Sequence, residues 1–125
     1  MSETGRTSSP ATEVAEQWMR LFNLHDVDGV VQLYAERGRH SSPRIRQLHP
    51  ETGGELIGRA ALAQWWRDAL LHTRELRYET LAVAGDDSRA FVEYVRHAPG
   101  EPDTVVVERF EVGDGQILSS RVFLG

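Results

Sequence analysis

Apolar positions change period along this chain. Val14, Trp18, Leu21 and Phe22, with Ala11 and Ala15 beside them, recur at helical spacing and predict an amphipathic helix over residues 11–24. Asn23-Leu24-His25-Asp26 breaks the pattern. Asp26 suits the N-cap of a second, shorter helix with Val27, Val30, Val31 and Tyr34 on its apolar face. His25, at the junction, reads as a local cap. Residues 36–56 are the least regular part, rich in Arg, His, Ser, Pro and Gly. A short strand is expected over 38–42, followed by a loop of roughly a dozen residues, long enough for a lid or mouth. Leu62, Trp66, Ala69 and Leu70 mark a third helix over 59–71, preceded by Gly58.

From there the period is two. Residues 75–84, 89–97, 104–112 and 116–124 read as strands, separated by Gly85-Asp86-Asp87, Pro99-Gly100 and Gly113-Asp114-Gly115. The last separator, between two alternating apolar runs, is a strong hairpin signal. Helices first and hairpin-linked strands after define an α+β fold. Its long, twisted antiparallel sheet is expected to curl over the N-terminal helices as a cone with an apolar interior.

One charge stands out against this pattern. If Val106, Phe110 and Val112 face the core, alternation puts Glu108 on the same face. A carboxylate there must be paired, hydrogen-bonded or protonated.

The chain has 125 residues, enough for one domain, here taken as 11–125 after a disordered tail at 1–10. A formal charge of −5 disfavours nucleic acid or an anionic membrane as partner. Without cysteine there is no disulfide, thiolate nucleophile or Cys-ligated zinc. The histidines lack zinc-ligand spacing and no Gly-rich loop joins a strand to a helix, so neither metal nor nucleotide cofactor is expected. The first residues lack an apolar signal-peptide core, and no stretch is long enough to span a membrane; a soluble, cytoplasmic protein is expected.

The order of several segments resembles the nuclear transport factor 2 superfamily, on its SnoaL-like, ketosteroid-isomerase-like side. These are Phe22-Asn23-Leu24-His25-Asp26-Val27-Asp28 running into Val31-Gln32-Leu33-Tyr34-Ala35, then His40-Ser41-Ser42-Pro43, Ile57-Gly58-Arg59, and the hairpin Glu108-Arg109-Phe110-Glu111-Val112-Gly113-Asp114-Gly115-Gln116-Ile117. The resemblance implies a cone-shaped α+β barrel with one hydrophobic pocket, often a homodimer. Isomerases, cyclases, dehydratases and non-catalytic binding proteins share that fold.

The resemblance also places Glu108 where such isomerases and cyclases carry an acidic residue. The second acid of the isomerases corresponds to Ser42, which cannot act as a base at neutral pH. His40, two residues earlier on the same strand face, is the nearest titratable substitute. Across the 98–103 turn, register decides whether Glu93 or Tyr94 faces Glu108; Tyr94 is preferred, as a phenol sharing a proton with the acid. Arg121 is either an anion or carbonyl anchor, a partner of Glu108, or an outer-face residue; Arg96 is the other candidate partner. Trp18 and Trp66 either pack the core or wall a pocket for a flat ligand, together with Tyr34, Phe110 and Phe123. Arg37, Arg39, Arg44 and Arg46 make the 37–49 segment basic, either as a solvated loop or to steer an anionic substrate. The reading is a cofactor-independent acid/base enzyme acting on a hydrophobic carbonyl compound, with Glu108, His40 and Tyr94 as catalytic residues. The alternative is a non-catalytic binding or dimeric module.

Overall fold

Ser9 starts the first helix. Its side chain accepts from the Thr12 backbone N–H, the Thr12 hydroxyl accepts from the Ser9 N–H, and Pro10 occupies the first helical position. Helix α1 therefore runs Pro10–Asn23 in this computed structural model, which describes residues 9–124. Ser9 and Pro10, assigned to the tail from sequence, are ordered; the disorder expected of 1–8 falls outside the described residues. Helix α2, Val27–Gln32, is capped by Asp26, whose carboxylate accepts from the Gly29 N–H at 2.9 Å. His25 takes a left-handed backbone conformation (φ 58°) between the two helices, and its Nε2–H donates to the Leu76 carbonyl at 2.8 Å.

Tyr34 does not extend α2. It opens strand β1, Tyr34–Ser41, which lies parallel to the last strand and is tied to it by a 2.8 Å bond from Ile117 N–H to the Leu33 carbonyl. A long-range pairing overrides the local helical spacing. The expected loop after residue 42 is largely structured: α3 Pro43–Leu48, a 3₁₀ turn Pro50–Thr52 and β2 Glu55–Ile57, which pairs antiparallel with β1. Ser42 caps α3 by accepting from the Ile45 N–H at 3.1 Å, with Pro43 in the first turn. Helix α4, Arg59–His72, leads into β3 Arg77–Gly85, β4 Arg89–His97, β5 Thr104–Gly113 and β6 Gln116–Leu124.

The six described strands form one curved, unclosed sheet in the order β2-β1-β6-β5-β4-β3. All neighbours are antiparallel except β1 and β6. The β5–β6 hairpin turns on Asp114 and Gly115, both at positive φ (52° and 76°), as a two-residue turn matching the strand twist requires. Helices α1, α2 and α4 bury their apolar faces against one face of the sheet, where Trp18, Phe22, Leu62 and Trp66 meet Val92, Val106, Phe110 and Ile117. No described helix is long and apolar enough to cross a membrane.

Candidate functional site

Strand alternation delivers Val106, Glu108, Phe110 and Val112 to the concave face, all buried, with Glu108 only 1 % exposed. From the neighbouring strand come Ala90, Val92 and Tyr94; Glu93 points to the exposed side. Tyr94 donates its hydroxyl proton to Glu108 Oε1 at 2.9 Å. The other carboxyl oxygen, Oε2, is buried without a hydrogen-bond partner. Its nearest basic neighbour is His40 Nδ1, brought in on β1 at 3.8 Å, beyond hydrogen-bond reach.

His40 is instead committed elsewhere. Its Nδ1 lies 2.7 Å from Ser120 Oγ, Ser120 Oγ lies 2.6 Å from the Tyr34 hydroxyl, and that hydroxyl accepts from Trp18 Nε1–H at 3.1 Å. Only one proton order pairs every hydroxyl in this buried chain: Trp18 donates to Tyr34, Tyr34 to Ser120, and Ser120 to an unprotonated Nδ1. His40 is then neutral. Burial itself pushes its pKa down to about 3. Burial pushes Glu108 the other way, up to about 7, partly offset by the hydrogen bond from Tyr94. The pair is thus not an ion pair over most of the acid range; it is a protonated acid facing a neutral imidazole. Burial, then the nearby Glu108, also raises the phenol pKa values of Tyr34 and Tyr94, keeping both as hydrogen-bond donors.

Around this polar thread the interior is aromatic. Trp66 packs over His40 with ring centroids 5.1 Å apart and also meets Tyr34 and Trp18. Tyr78 stacks on Tyr94 at 4.4 Å, and Phe22 stacks on Tyr78 at 4.4 Å. Trp18 touches Phe110. Trp18, Tyr34, Trp66 and Phe110 therefore pack the wall of the buried acid and against one another.

Arg121 and Phe123 do not join them. One extra residue, Leu118, intervenes on β6 between Ile117, paired with Val112, and Ser119, paired with Glu111. This bulge reverses the face for the rest of the strand. Ser120 and Val122 point inward, whereas Arg121 is exposed opposite Arg109 with its guanidinium 5.3 Å from the Phe123 ring. Gly113 accommodates the bulge: a Cβ there would lie 2.9 Å from Leu118 Cδ1. Arg96 is likewise no partner of Glu108; it pairs with Glu101 at 2.8 Å. Ser120 and Tyr78 are the participants that sequence reading missed. Ser120 was hidden by the bulge, and Tyr78 by its place on an edge strand with little alternation.

A groove of about 540 Å³ opens at the ends of β1 and β6; Glu108, His40 and Tyr94 do not line it. It is lined by Ser41, Ser42, Arg46, Gly54, Arg121 and Val122, among others. Val122 is the cross-strand partner of Glu108, and Ser42 follows His40 by two residues on the same strand path.

Comparison with known proteins agrees with the fold. The SnoaL-like domain family matches residues 15–120, and the chain belongs to that family. A SnoaL-like protein of unknown function from Burkholderia thailandensis superposes with a TM-score of 0.82 at 25% identity, covering 97% of this chain and 99% of the other. A proposed polyketide cyclase from Sinorhizobium meliloti gives 0.74 at 18% identity, covering 89% and 94%. A proposed ketosteroid isomerase from Kribbella flavida gives 0.77 at 19% identity, covering 93% and 78%. No curated protein matches the sequence significantly. The neighbours share the α+β architecture with N-terminal helices on a curved sheet.

Proposed function

We propose that this protein is a cofactor-independent acid/base enzyme that binds a hydrophobic carbonyl compound and works through Glu108. One observation carries the reading: a fully buried carboxyl with one oxygen held by Tyr94, the other unpartnered, and no cation paired to it among the described residues. A structural carboxylate in such a place would be expected to have both oxygens engaged or an arginine beside it. Names of fold neighbours, a proposed cyclase and a proposed isomerase among them, are consistent with such chemistry.

In this reading Glu108 in its ionised form, with a pKa of about 7, takes the proton from the carbon beside the substrate carbonyl at its free Oε2 and returns it to the product, while Tyr94 steadies Oε1. His40, whose pKa burial holds at about 3, stays neutral on Ser120 and leaves the carboxyl without a paired cation. Isomerisation, intramolecular aldol closure and dehydration all share this enolisation step. Trp66, Tyr34, Trp18 and Phe110 supply the apolar, water-excluding surroundings. A second copy of the chain is proposed to cover the outer sheet face, where Phe91, Val105 and Leu118 are exposed.

A second reading, a non-catalytic binding module, draws on the packing: His40, Ser120, Tyr34 and Trp18 already satisfy one another. Hydrogen–deuterium exchange at the α-carbon of a panel of aryl and alicyclic ketones separates the two. The enzyme reading expects exchange above buffer for at least one ketone, falling by about a hundredfold or more in Glu108→Gln. Exchange at the buffer rate throughout, or equal in wild type and Glu108→Gln, leaves the binding module as the better account.

A further inference from the structure

The groove at the ends of β1 and β6 carries two arginines. Arg46, from α3, and Arg121, from β6, both line it. Neither has an acidic partner among the described residues; the Arg121 guanidinium lies over the Phe123 ring. The one carboxylate in the lining, Glu55, is already paired with Arg39 at 3.3 Å. Backbone geometry helps to place one of the two. Gly54, at φ 91°, leaves room for the Arg46 side chain to lie across it: a Cβ at 54 would sit 3.2 Å from both Cβ and Nε of Arg46. The rest of the lining is apolar or small, with Pro43, Val122, Phe123 and Leu124 beside Ser41 and Ser42.

Two guanidinium groups without an acidic partner among the described residues stand out on one groove of a chain whose net charge is −5. Each guanidinium presents a planar fork of donors suited to a carboxylate. Local positive charge at a concave site also concentrates anions against the repulsion of the whole molecule. We infer that the groove is a docking site for an organic anion, and that the substrate is a hydrophobic carbonyl compound bearing a carboxylate. Its acidic end binds Arg46 and Arg121, and its apolar body lies along Val122 toward Glu108. This rests on the pocket reading above and adds the charge of the substrate to it.

The test compares two ligands of one shape, naphthalene-2-carboxylate and the neutral ketone 2-acetylnaphthalene, titrated into the labelled protein and followed by amide chemical shifts. The carboxylate is expected to bind more tightly and to shift Ser41, Ser42, Gly54 and Val122. Its dissociation constant rises about tenfold in Arg46→Gln/Arg121→Gln and also rises with salt. Ketone binding is unchanged by either. A charge-matched control, Arg20→Gln/Arg74→Gln, alters two exposed arginines outside the groove and leaves carboxylate binding as in wild type. Equal affinity for the two ligands, or unchanged carboxylate binding in Arg46→Gln/Arg121→Gln, overturns the inference. If the ketone still binds and Glu108-dependent exchange persists, the acid/base reading survives that failure. If neither ligand shifts the groove, both this inference and the proposed approach to Glu108 fall.

Discussion

Glu108 and His40 are buried side by side, and burial drives their pKa values in opposite directions, the acid to about 7 and the imidazole to about 3. Each shift has a consequence for stability. The acid is raised from 4.5, so its contribution is full below pH 4.5 and is lost as pH rises to 7. The histidine is lowered from 6.5, so its contribution is full above pH 6.5 and is lost as pH falls toward 3. Between pH 4.5 and 6.5 the two slopes cancel, because the folded pair holds one proton and the unfolded pair exchanges one group's proton for the other's. Glu108→Gln removes one slope. Urea denaturation should show the variant losing about 2–3 kcal/mol relative to wild type as pH falls from 6.5 to 4.5. Parallel stability curves for the two proteins would mean that the residues do not titrate as described. At this scale the sequence was informative where alternation was regular: Glu108 among Val106, Phe110 and Val112 was legible. Arg121 and Phe123 lie off the face of Glu108, which alternation could not show, because a single extra residue on β6 reverses every later side chain.

Among the elements, α3 shows how local chemistry shapes the mouth of the site. The position that resembles the second acid of an isomerase is Ser42, and here it caps a helix. That helix carries Arg46 to the groove and buries Ile45 completely. Ser42→Ala leaves the Ile45 N–H without its cap and should cost about 1 kcal/mol, with faster amide exchange confined to residues 45–48. Ser42→Asp keeps an acceptor in place and should restore most of the loss. Uniformly faster exchange in Ser42→Ala would show that the cap supports the whole fold and not α3. The Ser42-Pro43 pair is a helix-start signal, as is Ser9-Pro10, and both can be read from sequence. Ser42-Pro43 does not announce a helix by itself because the six helical residues after it show too little apolar periodicity. The four C-terminal strands, by contrast, were legible to within a residue or two, since alternation and turn residues agree there.

For the whole molecule, the α+β class and the curved sheet over N-terminal helices follow from helices preceding hairpins. The parallel β1–β6 contact does not: it joins residues far apart in sequence and converts the expected end of α2 into a strand that holds Tyr34 and His40 in the interior. That contact assembles the site, since it sets His40 and Ser120 at 2.7 Å and brings His40 to Glu108. The aromatic layer of α1 and α4 then removes water from the acid. The chain has the SnoaL-like scaffold, and in it Glu108, Tyr94 and His40 form one buried cluster. The central claim is that this architecture keeps Glu108 protonatable near neutrality. The most direct measurement is a carbon-13 NMR titration of labelled glutamate carboxyls, with Glu108→Gln to assign the resonance. The account predicts a midpoint near 7. A midpoint at or below 4.5, the ordinary value, would contradict it.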